Sequence, residues 1–310
     1  MALRLPSRLR VLKTLDVRPH RYRQIRYVTQ ALTVAVLYAV PLLGLARFDL
    51  WDGRHLYAGP TNNAVFGLGA VFLSVVGFYV ATFVINAVAG RLFCGFGCPV
   101  GELQRLGDAT EVARKTGDKR LSAYARELGF GALLAGAAFL WFVDPRVFVE
   151  GSPKAVAASV LGFVATTGVF HLHARFVRWS FCKGFCPIGV YYTAIQTNHA
   201  LGIHFDEVTA KCSGCDVCTE VCPVGLHPRD LTKPIEEMPG LGIEGFPEAH
   251  HCLTCGDCVR ACEQVFTKKP NAPIPLSLSK KPDKRRLPVI SAAAAPEQAS
   301  AEAPDAAAAE

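Results

Sequence analysis

Eight cysteines in the C-terminal part of the chain fall into two runs with one internal spacing. Cys212, Cys215, Cys218 and Cys222 read C-x2-C-x2-C-x3-C, and Cys252, Cys255, Cys258 and Cys262 repeat it. Thiolates at this rhythm wrap three ligands around a cube of iron and sulfide and send the fourth elsewhere. The rival chemistry is zinc, which paired C-x2-C fingers also hold with four ligands per site. The x2-x2-x3 rhythm, with Pro223 directly after Cys222, favours two [4Fe-4S] clusters and hence an electron carrier.

In two-cluster ferredoxins the fourth cysteine of each run ligates the other cluster. Applied here, cluster one takes Cys212, Cys215, Cys218 and Cys262, and cluster two takes Cys252, Cys255, Cys258 and Cys222. Crossing the ligands staples a module too small to rest on its hydrophobic core alone. The expected module is a small α+β unit over residues 205–268, with a helical turn after each run. Glu263 stands after Cys262 where proline is usual, placing charge near that cluster and lowering its potential. The 29 residues between Cys222 and Cys252 contain Pro228, Pro234, Pro239 and Pro247 and read as a structured surface loop.

The other four cysteines are duplicated as well. Phe93-Cys94-Gly95-Phe96-Gly97-Cys98-Pro99-Val100-Gly101 and Phe181-Cys182-Lys183-Gly184-Phe185-Cys186-Pro187-Ile188-Gly189 lie 88 residues apart. Three readings stay open for Cys94, Cys98, Cys182 and Cys186. Four converging thiolates suit a third metal centre; the pairs suit dithiol–disulfide cycling; reduced thiols at helix ends need no chemistry at all.

The elements that position these cysteines are apolar. Of the 310 residues 51% are hydrophobic, concentrated in Tyr27–Ala46, Ala64–Ala89, Leu128–Val143 and Ala155–Phe170. About 20 apolar residues cross the hydrocarbon core. The reading is an all-α, four-helix transmembrane bundle of two parallel two-helix repeats, followed by the ferredoxin-like domain. The third stretch is short, so Arg126 and Glu127 are expected to reach toward the interface. Ala132-x3-Gly136 and Ala158-x3-Gly162 offer small residues for close helix approach. The expected boundaries are 1–26, a basic segment; 27–204, the membrane domain; 205–268, the cluster domain; and 269–310, a disordered Lys-, Pro- and Ala-rich tail. The first span reads as an anchor that stays, without a cleavable signal.

Eight basic residues precede the first span and seven lie between spans two and three, against Arg47, Arg54, Arg146 and Lys154 in the other two loops. By the positive-inside rule both termini and all twelve cysteines face the cytoplasm of a bacterial inner membrane. Structural disulfides are therefore not expected. The net charge of +7 is absorbed by this topology and is no argument for nucleic acid.

Four spans, two F-C-x3-C-P motifs and a double 4Fe-4S module together resemble the NapH/MauN group of membrane-bound ferredoxin-type proteins, related to NosR and CcoG, over about residues 20–268. The resemblance implies electron transfer between the quinol pool and a redox partner, often a further iron–sulfur protein, as a quinol dehydrogenase subunit. An accessory electron donor for maturing another redox enzyme, or for reducing copper, is the alternative. Quinol oxidation needs a proton acceptor beside the membrane: His171 and His173 qualify on the cysteine side, and Asp49, Asp52, His55 and Asp144 on the other. The first three spans hold no histidine, which disfavours a membrane b-haem. Neither a G-x-G-x-x-G nor a Walker loop is present, so a nucleotide donor is not indicated. No catalytic residue is assigned from sequence.

Overall fold

The computed structural model describes residues 20–49, 55–57, 61–62, 64–117, 120–195, 201–206, 211–231, 248–266 and 273–279. In chain order the elements are α1 (Arg21–Leu42), β1 (Ala46–Phe48), β2 (His55–Tyr57), β3 (Thr61–Asn62), α2 (Ala64–Ala89), α3 (Leu92–Phe96), α4 (Pro99–Thr116), α5 (Arg120–Phe142), α6 (Val147–Glu150) and α7 (Pro153–Leu172). Two π-helical turns follow, His173–Val177 and Phe181–Phe185, then α8 (Pro187–Ile195), β4 (Gly202–Phe205), α9 (Val217–Glu220), a 3-10 turn (Glu248–His251), α10 (Asp257–Phe266) and β5 (Leu276–Ser279).

Three helices among the described residues are long and apolar enough to cross a membrane: Arg21–Leu42, Arg120–Phe142 and the continuous helical run Pro153–Val177. The α2 helix adds 26 residues without a charged side chain. The helices are inside out relative to a water-soluble bundle. Along α1 the inward stripe at every fourth residue is Tyr22, Arg26, Gln30 and Val34, while Val28, Leu32 and Val36 are exposed. Polar groups facing the protein and aliphatic groups facing outward is the arrangement lipid demands.

The α1, α5 and α7 helices form one packed group, and α4 closes its cysteine-side end. Proline at its first turn, Glu102 there, Arg114 and Lys115 in its last turn and left-handed Gly117 (φ 78°) give α4 well-formed ends. Its inward residues Leu103, Gln104 and Thr110 are fully buried. Gly107 lets the α4 backbone touch the first π turn, since a Cβ there would lie 2.6 Å from the Ala174 carbonyl oxygen. At the opposite end β1, β2 and β3 form an antiparallel meander, pairing Ala46 with Tyr57 and His55 with Asn62.

Several expectations are corrected. Glu127 does not reach toward the interface: it is fully buried, because His171 on α7 offers its Nδ1 at 2.9 Å. Arg126 alone points outward. Of the small-residue pairs, Gly136 faces the Tyr38 ring, whose hydroxyl donates to the Leu133 carbonyl at 2.7 Å, but Ala158 and Gly162 are exposed among the described residues. The cluster module extends beyond 205–268. β4 pairs antiparallel with β5 from Gly202↔Ser279 to Phe205↔Leu276, with Leu276 buried, so part of the expected disordered tail 269–310 is a core strand. Asp144 pairs with Arg47 and caps the Arg146 amide at 2.9 Å, a structural use. Asp49 is buried, whereas Asp52 and the His55 side chain lie outside what is described, as do residues 1–19, Pro234, Pro239, Pro247 and 280–310.

Substituting Gly107→Val is expected to separate α4 from the π turn and cost about 1–3 kcal/mol, read as a lower thermal midpoint in detergent. Gly162→Val, with nothing within 4 Å of the added carbon, is expected to leave the midpoint unchanged. Equal effects of the two would contradict this packing.

Candidate metal centre

The two cysteine runs fold alike. In each, the residue before the second cysteine and the residue after it are left-handed: Gly214 (φ 69°) and Asp216 (φ 53°) in the first, Thr254 (φ 54°) and Gly256 (φ 74°) in the second. Such turns aim successive backbone N–H groups into a concavity and suit an anion. A helix starts directly afterward, α9 at Val217 and α10 at Asp257, with the third cysteine in its first turn.

Two pockets result. Cys212, Cys215 and Cys218 line one with Cys262 from the other run. Cys252, Cys255 and Cys258 line the second with Cys222, walled by Ile203, Val224, Leu226 and Leu231. All twelve cysteines are free thiols. Among the described residues no group of three or more His, Cys, Asp or Glu side chains closes to single-ion geometry. Each quartet brings together the four thiols that one cube requires, three from its own run and the fourth from the other. The backbone supports the sulfur atoms: the Leu226 amide donates to Cys222 Sγ at 3.3 Å and the Gly214 amide to Cys212 Sγ at 3.5 Å. Burial pushes the Cys252 thiol up to about 12 and Cys222 and Cys262 up to about 11. Such thiols ionise only with a cationic centre beside them.

The second pocket is the one joined to the membrane helices. Asp257, buried and two residues past Cys255, receives Arg26 of α1 on one carboxylate oxygen at 2.9 Å and Arg105 of α4 on the other. Arg26 also donates to the Cys255 carbonyl at 3.0 Å. These guanidiniums hold the Asp257 carboxyl well below the usual carboxylate range despite its burial. Gly95 lies flat on the same loop, for a Cβ there would stand 2.4 Å from the Leu253 carbonyl oxygen. The Tyr22 ring covers Gly256, where a Cβ would stand 2.9 Å from it. At the module's other end Glu263 takes His20 at 2.5 Å and Arg21 at 2.8 Å, so its charge is offset by α1 rather than left free beside Cys262.

The two C-x3-C-P motifs also fold alike. Cys98 and Cys186 share one backbone conformation (φ −69°, ψ 117° and 118°), and each accepts Pro at the next helix's first position. Their amides donate to the Phe93 and Phe181 carbonyls, both at 2.8 Å. Gly101 and Gly189 face the backbone oxygen of their own motif's first cysteine, Cys94 and Cys182. Those first cysteines pack with Trp179, Leu253 and Cys252 at the wall of the second pocket. Buried Arg91 sits among them and donates to the Gly189 carbonyl at 2.5 Å. Burial pushes Cys94 and Cys182 up to about 12.

Sequence reading missed Arg26, Arg91, Arg105 and Asp257 as site residues, and also His251. That imidazole is 1% exposed, next to Cys252, and burial together with Arg91 lowers it to about 3, so it is neutral at physiological pH. Its adjacency to the cysteine run was the available signal.

The 4Fe-4S dicluster domain family matches residues 211–266. Relatives extend the match through the membrane helices. The chain is similar to the NapH, MauN and FixG ferredoxin-type proteins, at about 25% identity over most of its length. It is 27% identical over 278 residues to the ferredoxin-type protein NapH of Escherichia coli K12, covering 81% of this chain and 90% of that one. It is 26% identical over 224 residues to the methylamine utilization ferredoxin-type protein MauN of Methylorubrum extorquens, 66% and 76%. With the nitrogen fixation protein FixG of Rhizobium meliloti it shares 23% over 308 residues, 80% of this chain but about half, 53%, of that protein. No solved structure matches the chain. Like its ferredoxin-type relatives it is an iron–sulfur electron-transfer protein.

Asp257→Ala is expected to strand two buried guanidiniums and cost about 3–5 kcal/mol. Limited proteolysis should then cut between the membrane helices and the cluster module at protease levels that leave the native protein whole. An unchanged digestion pattern would contradict the clamp.

Proposed function

We propose that the chain passes electrons between the quinol pool and a redox partner, as the quinol-oxidising subunit of a membrane dehydrogenase. In this reading α1, α2, α5 and α7 are four spans, with both termini and every cysteine on the cytoplasmic side, as the fifteen-to-four excess of basic residues favours. Cys212, Cys215, Cys218 and Cys262 hold one [4Fe-4S] cluster, and Cys252, Cys255, Cys258 and Cys222 hold the other. The clusters supply one-electron storage when bound; the protein supplies the wiring.

The observation that carries the proposal is the contact of the Cys252–Cys258 loop with Arg26, Arg105 and Gly95, at the ends of apolar helices. A cluster held there lies beside the bilayer. The Cys212–Cys218 pocket carries the exposed cysteine, Cys215, with Arg229 paired to Asp216 at its rim. The order is thus membrane, cluster two, cluster one, then a further redox protein. Cys94 and Cys182 line the inner end of that route. Copper reduction at the C-x3-C-P quartet is the weaker reading, because no single-ion geometry exists among the described residues.

Anaerobically purified protein is expected to carry about eight irons and eight sulfides, and its visible absorption should bleach with quinol in membranes. Cys258→Ser should remove about half of the iron. Zinc in place of iron would overturn the cluster assignment; iron that only dithionite reduces would overturn the quinol reading.

A further inference from the structure

Glu127 is a carboxylate with zero exposure in the α5 helix, and such a group inside an apolar span is costly unless it has a use. Its carboxylate lies 2.9 Å from His171 Nδ1 on α7, yet neither Glu127 oxygen makes a well-aligned hydrogen bond. A pair selected for helix–helix adhesion would be aligned and sealed. This one is open on one side, for the His171 side chain is 31% exposed and its neighbours along α7, Val169 and Leu172, are outward-facing. In a membrane that side is lipid. The second histidine of this region is differently placed: fully buried Gln104 holds His173 Nδ1 at 2.7 Å, and its ring stands edge-on to Phe181 at 4.9 Å. Phe181 directly precedes Cys182, which packs at the wall of the second cluster pocket. From the lipid-facing imidazole inward, the order is thus His171 with Glu127, then His173, then Phe181 and the thiols.

Resting on the quinol reading above, we propose that Glu127 and His171 are the proton-accepting site for a lipid-borne quinol. Oxidising one quinol to quinone breaks two O–H bonds and releases two protons and two electrons. His171 Nε2, the nitrogen turned away from Glu127, takes the first proton as the Nδ1 proton passes to the Glu127 carboxylate, and after the ring turns over the nitrogen left bare takes the second. The electrons go one to each of two iron–sulfur acceptors. Both residues are catalytic in the strict sense that they receive the reacting protons. The local helix is built to hold the site. α7 widens into a π turn at His173, a feature frequent at functional sites. Arg178, which follows the turn, has left-handed φ 49° and is locked there by Asp108. Asp108 also accepts from the Trp179 indole at 2.8 Å.

The test uses native, Glu127→Gln, Glu127→Asp and His171→Gln proteins in anaerobic membranes, with a short-chain ubiquinol as reductant and dithionite as control. Glu127→Gln and His171→Gln are expected to slow quinol-driven bleaching by about 100-fold, and Glu127→Asp to retain most of it. Bleaching by dithionite and iron content should be native in all four, which separates lost chemistry from lost folding. The infrared difference between oxidised and quinol-treated membranes should carry a protonated-carboxyl band that Glu127→Gln removes. Native rates in both neutralising variants would overturn the proton-acceptor assignment and leave the quinol reading standing. Absence of quinol bleaching in the native protein would overturn that reading and this inference with it.

Discussion

Asp257 is a carboxylate buried between guanidiniums from two different parts of the membrane half, Arg26 on α1 and Arg105 on α4. Buried charges are tolerated only when paired, and here the pairing has one geometric solution. It requires the cluster loop, the start of the first span and the helix after the first C-x3-C-P motif to meet at one point. The flat contacts of Gly95 and Gly256 with neighbouring backbone and ring need that same arrangement. The clamp acts together with the Glu263 contacts to His20 and Arg21 and the packing of Tyr22, Phe96 and Trp179 on the module. With them, one thiol pocket has a fixed place at the inner ends of the apolar helices.

The α4 helix distributes this constraint. Successive inward residues take separate partners: Gln104 holds His173, Arg105 holds Asp257 and lies 5.4 Å over the Trp179 ring, and Asp108 holds Arg178 and Trp179. One amphipathic helix thereby links the end of α7, where we propose that protons are accepted, to the cluster loop. Proton acceptance and electron acceptance can then occur within one rigid frame, which two-electron, two-proton chemistry at a membrane surface requires.

The cysteine rhythm was legible because metal ligation fixes sequence spacing directly, and the long apolar runs were legible because hydrocarbon thickness fixes their length. Other features depended on tertiary contact. Arg26, Arg91 and Arg105 count in the sequence as positive charge beside membrane spans, yet all three turn inward. A charge tally cannot tell an arginine that meets lipid headgroups from one that meets a buried carboxylate. Glu127 was read as a charge that must escape the bilayer, because its partner His171 is 44 residues away and only helix packing joins them. The Leu276–Ser279 strand was hidden in a low-complexity, lysine-rich setting; its alternating leucines gain meaning only beside Gly202–Phe205.

The central claim is that the Asp257 clamp puts cluster two in electrical contact with the bilayer. Low-temperature paramagnetic resonance of anaerobic membranes poised with excess quinol tests it most directly. Reduced four-iron signals should develop in the native protein to an extent comparable with dithionite, and in Asp257→Ala they should develop with dithionite alone. Signals that quinol elicits equally in both proteins would contradict the account.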